Sequence, residues 1–397
     1  MRFATRTERL ADLGSAKWTV HLRAVDMQAE GRDIIKMTIG EPDVPPPRAL
    51  LKVAADAMYN GRTRYSNGRG ELDLLDALSK RYTQTAGRAI APDQFICLPG
   101  TQSSLYMVLQ GIAQAGDEVL VGDPMYATYE GVIAASGARM VPVPIRAENG
   151  FRLAADDIAA RITPRSCAIL LNSPHNPSGA ILTADDIAAI GVLAVKHDLW
   201  IIADEVYEEL VFDNATFVSP LTFAELAERV IVVSSISKSH AAPGFRSGWC
   251  IGASDFIKRL LPVAETMLFG NQPFIADMTA KAIAAPSEVA AGMRRRFSRR
   301  ADLLFDMLDG VAGLTVSRPE AGMFALIDVS ALGMASDEYA LDLLESTGVA
   351  VMPGASFGDC LTHWVRVALT VDDEATLRAC ARIADHANAL IKLKEAS

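Results

Sequence analysis

Long apolar runs are missing from this chain. No stretch reaches the roughly 18 consecutive apolar residues that a membrane-crossing helix needs, so no span is expected. Cysteine is scarce: 5 in 397 residues, at 97, 167, 250, 360 and 380. None stands in C-x-x-C spacing and the count is odd, which does not suit a complete disulfide framework, and no metal site is expected. Cys97, Cys167 and Cys250 sit in apolar runs and read as small core residues. A positive surplus is absent too. The net charge is −10, so nothing is available to neutralise nucleic-acid phosphates in general. The densest basic run, Arg294-Arg295-Arg296 with Arg299-Arg300, has the spacing of the solvated face of a long helix. Internal repeats and low-complexity linkers are lacking. Met1 to Arg6 open no long apolar segment, so no signal peptide is expected and the chain is read as cytoplasmic.

What is present is an ordinary globular composition, with half of the residues apolar and 22% charged. The length exceeds one typical domain, so two are expected. Apolar runs at Phe95–Leu98, Val119–Val121, Met140–Val143, Ala168–Leu171, Trp200–Ala203 and Val230–Val233 read as strands. Helical spacing separates most of them, as in Glu71 to Arg81 and in Thr183 to Lys196, where Thr183 and Asp186 match a capping box. Strands apolar on both faces and alternating with helices predict an α/β fold with a largely parallel sheet covered by helices. Residues 1–36 read as an arm plus one helix. After about residue 285 the pattern changes to a long helix (about 287–309), short strands near 314–316 and 324–327, a helix near 337–346, the strands Val349–Met352 and Trp364–Leu369, and a final helix; this predicts a smaller α+β domain.

In doubly wound sheets ligands sit at the carboxyl ends of the strands. Asn172, Asp204, Ser235 and Lys238 all fall just beyond predicted strand ends. Lys238 has hydroxyls on both sides and Arg246 eight positions on, a setting suited to a Schiff base beside a phosphate, because a nearby cation disfavours the ammonium form. Pro99-Gly100-Thr101 turns a strand into a helix N-terminus, a standard anion cradle. Gly40 precedes a proline-rich extended segment and permits close approach of backbone to a ligand. Asn176 offers an amide to a phenolate, Tyr207 a hydroxyl to the same oxygen, and Asp204 a carboxylate to a pyridinium nitrogen. With Tyr126 as a stacking ring, these are the protein groups that a pyridoxal phosphate site needs.

The motifs N-x-x-x-N-P-S-G at 172–179, D-E-V-Y at 204–207, and S-x-S-K with G-x-R-x-G-W at 235–249 carry a family resemblance. From about Gly40 to its last helix the chain resembles the class I/II aminotransferases of fold type I, the aspartate aminotransferase superfamily. The resemblance implies a large domain with a mostly parallel seven-stranded sheet sandwiched by helices, over 46–285. It implies a smaller α+β domain over 286–397, with 1–45 as an arm and part of that small domain. It implies pyridoxal 5'-phosphate as cofactor and ping-pong transfer of an amino group from an L-amino acid to a 2-oxo acid. By position, Lys238 is similar to the imine-forming lysine and proton shuttle, and Asp204 to the partner of the ring nitrogen. Asn176 and Tyr207 match the donors to the ring oxygen, and Tyr126 the stacking ring. Gly100, Thr101, Ser235, Ser237 and Arg246 match phosphate ligands, and Arg366, with the Gly40 backbone and Asn176 beside it, the fork for the substrate α-carboxylate. Tyr65 resembles the tyrosine that reaches the cofactor phosphate of a neighbouring subunit, which implies a homodimer. The stretches 148–152, 172–180 and 237–240 are similar to arginine–pyruvate transaminases. Aspartate, aromatic and other neutral donors stay open, as do a C–S β-lyase or decarboxylase sharing Lys238 and Asp204 and a non-catalytic ligand sensor, for which residues 1–40 are short and little basic.

Overall fold

A strand with apolar side chains on both faces must be covered on both, and that requirement organises the large sheet. The computed structural model describes residues 2–396 except 12, 14 and 15, so four residues of the expected N-terminal arm lie outside the described residues. Seven strands form one sheet: β1 (Phe95–Leu98), β2 (Glu118–Asp123), β3 (Arg139–Pro144), β4 (Ser166–Asn172), β5 (Trp200–Asp204), β6 (Val230–Ser235) and β7 (Gly248–Ile251), in spatial order 1-7-6-5-4-2-3. Strands β2 to β6 run parallel to one another, and β7 is antiparallel to both β6 and β1. The expected seven-stranded, mostly parallel sheet is therefore present. Strand β7 was legible only as the apolar run around Cys250, because a strand that opens on glycine carries a weak β signal.

Alternate residues of one strand feed opposite layers. Ile201, Val230 and Val232 pack with Leu74, Leu78, Ile187, Ile190 and Ile275 from the helices Leu72–Ala86, Ala184–Lys196 and Pro273–Ile283. Ile202, Ile231 and Val233 pack on the other face with Leu105, Val108 and Ile257 from the helices Thr101–Ile112 and Ser254–Glu265. The expected capping box is present: Thr183 Oγ1 accepts the Asp186 N–H at 3.1 Å while Asp186 Oδ2 accepts the Thr183 N–H at 2.9 Å. The helix expected over Glu71 to Arg81 runs on to Ala86, and Gly87 in a left-handed conformation stops it.

A second body of core joins the two ends of the chain. Val20, Ala24 and Met27 of the helix Thr19–Ala29 pack with Met293, Phe297 and Leu304 of the helix Glu288–Leu308, and with Ile383 and Ala387 of the last helix, Asp373–Ala396. A four-stranded antiparallel sheet runs Met352–Pro353, Trp364–Ala368, Phe324–Asp328, Thr315–Ser317.

Three expectations are corrected here. The N-terminal segment holds two helices rather than one, Thr5–Ala11 and Thr19–Ala29. The run Val349–Met352 is not one strand: Val349–Ala350 pairs parallel with Ile35–Lys36, whereas Met352–Pro353 pairs with Trp364–Ala368, because the chain changes sheets at Val351. The Arg-rich run is not all solvated. Arg295 and Arg299 are exposed, but Arg300 is only 4% exposed. A four-residue step puts Arg296 and Arg300 on one helix face, where both donate to the Asp43 carboxylate at 2.7 to 2.9 Å, and Arg300 also donates to Asp373 at 2.9 Å. Cys97 and Cys250 are buried as expected; Cys167 is only half-buried. Among the described residues no helix is long and apolar enough to cross a membrane.

Ile202 has no exposed surface in the middle strand of the sheet. Ile202→Ala should cost about 2–5 kcal/mol, read as a lowered midpoint of denaturant unfolding.

Candidate active site

The carboxyl ends of three adjacent parallel strands supply the floor of one cavity. Asn172 ends β4, Asp204 ends β5 and Ser235 ends β6, and Asn172 and Asp204 are register partners. They are thus the last strand residues rather than the first loop residues. Lys238 follows in the four-residue helix Ile236–Ser239, whose N-cap is Ser235. The cavity holds about 350 Å³.

Asp204 and Lys238 both face it; Asp204 is buried and Lys238 half-buried. The Tyr129 hydroxyl donates to Asp204 Oδ2 at 2.7 Å, and the Val206 N–H donates to Oδ1 at 3.2 Å. Burial nevertheless pushes the Asp204 carboxyl up to about 6, against these donors and the Lys238 charge. Lys238 Nζ donates to the Gly40 carbonyl at 2.8 Å. Burial pushes its amine down to about 8; Glu41 opposes the shift, while Arg366 and Arg246 add to it. The geometry thus keeps a lysine close to its free-amine form opposite a carboxyl that lacks a full counter-charge.

One end of the cavity is built for an anion. Gly100 caps the helix Thr101–Ile112 at φ 87°, and the first N–H groups of that helix have no partner inside it. A Cβ at Gly100 would fall 2.3 Å from Arg246 Nη2, so glycine is what lets the arginine lie against the turn. Arg246 itself is exposed and donates to the carbonyls of Pro243 at 2.7 Å and Pro99 at 3.1 Å. Thr101 Oγ1 donates to Ser235 Oγ at 3.0 Å, which also accepts the Ser237 N–H at 3.3 Å. Three hydroxyls, a guanidinium and a helix N-terminus therefore converge.

The opposite end centres on Arg366, on the strand Trp364–Ala368. Its guanidinium carbon lies 3.8 Å from the Phe324 ring centroid and 4.4 Å from that of Phe357; one face of the plane has room for only one ring that close, so the two rings take opposite faces. In its plane it donates to the Thr38 carbonyl at 2.6 Å and to Asn176 Oδ1 at 3.0 Å, while Nε is buried without a partner. Among the described residues no carboxylate pairs with it, and burial pushes it down to about 10. A buried guanidinium with an orphaned N–H is a receptor for an anion with two oxygens.

Between the two ends, Tyr207 is 5% exposed and meets Phe324 edge-on, with ring centroids 6.4 Å apart. Burial raises its phenol, and the Asn176 side chain, facing it, acts the other way. Asn176 is set by its neighbours: its backbone N–H donates to Asn172 Oδ1 at 2.8 Å, and its own Oδ1 accepts a hydrogen bond from Arg366. Tyr126 lines the wall and meets Tyr129 edge-on at 5.5 Å.

Almost every residue singled out in the sequence thus lines this one cavity, with Gly100 at its rim. Tyr65 does not. It is 93% exposed and packs edge-on against Phe269, away from the cavity of its own chain. Sequence reasoning missed Tyr129, Phe324 and Phe357. Tyr129 had one faint signal, its place three residues after Tyr126 where a strand yields to a helix; the two phenylalanines read as plain core.

The family model for class I and II aminotransferases matches residues 32–383. The arginine–pyruvate transaminase of Pseudomonas aeruginosa is 41% identical over 384 residues, covering 97% of this chain and 98% of that protein. The aspartate aminotransferase of Geobacillus stearothermophilus is 31% identical over 365 residues, 90% of this chain and 92% of that one. Among solved structures, a double mutant of Thermus thermophilus aspartate aminotransferase superimposes with a TM-score of 0.91 at 30% identity, over 97% of this chain and 100% of that chain.

The Lys238 shift has a direct readout. Below its pKa the amine is protonated and inert; above it the amine is free. Acylation of the cofactor-free chain by a small amine-selective reagent, followed at the peptide carrying Lys238, should reach half its plateau near pH 8, and a midpoint near 10.5 would mean that burial does not act on this amine.

Proposed function

The chain belongs to the class I and II aminotransferase family and is a transaminase; on that premise we propose that it works with pyridoxal phosphate and moves the amino group of L-arginine to pyruvate. The observation that carries the cofactor assignment is the pairing of a buried carboxyl, Asp204, with a half-buried amine of lowered pKa, Lys238, beside an anion cradle.

The residues fit the cofactor. Asp204 is a buried carboxyl short of a cation, and a protonated ring nitrogen is a cation of the right kind. The helix N-terminus at Gly100, with Thr101, Ser235, Ser237 and Arg246, fits a phosphate, and Asn176 and Tyr207 fit a phenolate oxygen. Tyr126 offers a ring face. Bound there, pyridoxal phosphate supplies an aldehyde that condenses with amines and a ring that takes up electrons from the substrate's Cα. Lys238 Nζ is the group that anchors the cofactor and, once free, takes and returns the Cα proton, for which an amine near pH 8 is well matched. Asp204 holds the proton on the ring nitrogen. Arg366 receives the α-carboxylate through Nε and its remaining N–H groups. Trp18, Tyr126 and Phe324 wall the cavity and keep water from the reacting atoms.

The donor and acceptor rest on the Pseudomonas aeruginosa relative, which is named for arginine and pyruvate and aligns over nearly its whole length. The cavity wall supports a cationic donor. Its cations are Lys238, Arg246 and Arg366, each with a role above, so none is left for a side-chain carboxylate, whereas Glu41 is a wall carboxylate still available to a guanidinium.

We further propose a homodimer in which Tyr65 reaches the partner's phosphate; the exposed Tyr65–Phe269 pair supports it, since large aromatic side chains seldom stay bare. A large domain over 46–285 and a small domain over 286–397 that also takes up part of 1–45 are supported by the separate core joining Val20 and Met27 to the C-terminal helices. Five free cysteines support a cytoplasmic setting.

A panel of arginine, aspartate, phenylalanine and alanine with pyruvate as acceptor tests the donor: arginine should give the highest kcat/KM, and a preference for aspartate would sink the assignment. Lys238→Ala should abolish turnover and the visible absorbance of the bound cofactor while the chain stays folded; in the parent, borohydride should leave the cofactor covalently on the peptide containing Lys238. Arg366→Ala should raise KM for the amino acid far more than it weakens the cofactor.

A further inference from the structure

A loop that plays no part in the chemistry above closes over the Arg366 site. Beyond the strand Met352–Pro353 the chain passes through two 3-10 turns, Gly354–Ser356 and Asp359–Leu361, with Phe357 between them. Phe357 is 3% exposed and lies over the Arg366 guanidinium on the side opposite Phe324. The hydrogen bonds of Arg366 to Thr38 and Asn176 lie in the guanidinium plane, so they resist sliding but do little against tilting. Tilting is resisted by the two rings. Phe324 is wedged by Gly40 and Tyr207: a Cβ at Gly40 would fall 2.1 Å from its ring tip. Phe357 is placed by its loop and by the buried cluster it shares with Leu326, Met352 and Leu361.

That loop is held to the end of β2, outside the cavity. The Met125 N–H donates to the Phe357 carbonyl at 2.8 Å, and Asp123 Oδ1 accepts the Cys360 N–H at 3.4 Å. Gly358, between these contacts, has φ 146°, and a Cβ there would fall 1.8 Å from Asp123 Oδ1, so the loop touches the carboxylate with bare backbone. Asp123 is 8% exposed and is the last residue of a fully buried strand. It ties a segment of the smaller antiparallel sheet to the rigid end of the large one.

We propose that Asp123 is a positioning residue for substrate carboxylates: it latches the 354–361 loop, the loop holds Phe357, and Phe357 holds the Arg366 plane. The inference rests on Arg366 being the α-carboxylate receptor. It makes a specific demand, because donor and acceptor both present a carboxylate and no residue of the 354–361 loop is among those lining the cavity beside the anion cradle.

The test is steady-state kinetics on the holoenzyme with Asp123→Ala, Asp123→Asn, Phe357→Leu and Arg366→Ala. Asp123→Ala should raise KM for the amino donor and for pyruvate by about tenfold each, with kcat at saturation within about twofold of the parent. Asp123→Asn keeps an acceptor oxygen for the Cys360 N–H and should recover to within about threefold of the parent KM. The double variant Asp123→Ala with Phe357→Leu should be no worse than its weaker parent, since both changes act through one element. Cofactor absorbance and single-turnover reaction with 1-aminopentane, an amine without a carboxylate, should be unchanged in every Asp123 variant; these also certify the fold. A KM for Asp123→Ala within about twofold of the parent, or an equal loss with 1-aminopentane, overturns the latch. If Arg366→Ala itself leaves amino-acid KM unchanged, the carboxylate receptor is misassigned and the latch falls with it; if Arg366→Ala weakens the amino acid and the Asp123 variants do not, only the latch falls.

Discussion

A carboxyl and an amine share one cavity, and burial drives each away from its usual charged form. Asp204 is pushed up to about 6 and Lys238 down to about 8. Neither shift comes chiefly from a neighbouring charge; desolvation leads both. Such a pair is unfavourable for folding on its own and persists only because the surrounding structure is rigid and well packed. The seven-stranded sheet provides that rigidity. Its central strands β5 and β6 are buried from end to end or nearly so, with helices on both faces. Where those strands stop, their last residues project into the cavity with little freedom to move.

The second body of the fold contributes what the sheet cannot. The large sheet supplies the carboxyl, the lysine and the anion cradle; the antiparallel sheet supplies Arg366 and Phe324, and the loop between two of its strands supplies Phe357. The segment carrying Gly40 runs between them. Its course is set by the Asp43 carboxylate, clamped by Arg296 and Arg300 from the long helix Glu288–Leu308. Arg300 is further held by Asp373 at the start of the last helix. These multiply bonded pairs, with Arg300 and Asp43 at their buried centre, tie the segment to both helices. The result places the Gly40 carbonyl on Lys238 Nζ and the Thr38 carbonyl on Arg366, two residues apart on one extended strand of backbone.

Much of this was legible in the sequence because strand ends and turns leave local marks. Asp204 and Lys238 could be found because a run of apolar residues stops abruptly at a polar one, and Gly100 because a strand breaks on Pro-Gly before a helical repeat. The residues that escaped leave no such mark. Phe324 and Phe357 look like any core phenylalanine until Arg366 is seen between them. Arg300 looks like its exposed neighbours until Asp43, distant in sequence, is seen to face it. The break at Val351 could not be read, since both halves of Val349–Met352 have the same β-favouring composition and differ only in their partners.

The amino-acid order by itself therefore determined the alternation of strands and helices, the family, and the residues at the carboxyl edge of the sheet, because periodicity, turn chemistry and motif spacing act over a few residues. Only the tertiary structure decided which side chains are sealed from water, how far Asp204 and Lys238 are shifted, what sandwiches Arg366, and that Tyr65 turns away from its own chain's cavity. Those properties are set by what lies across a gap in space, and desolvation and stacking depend on neighbours that chain order does not specify.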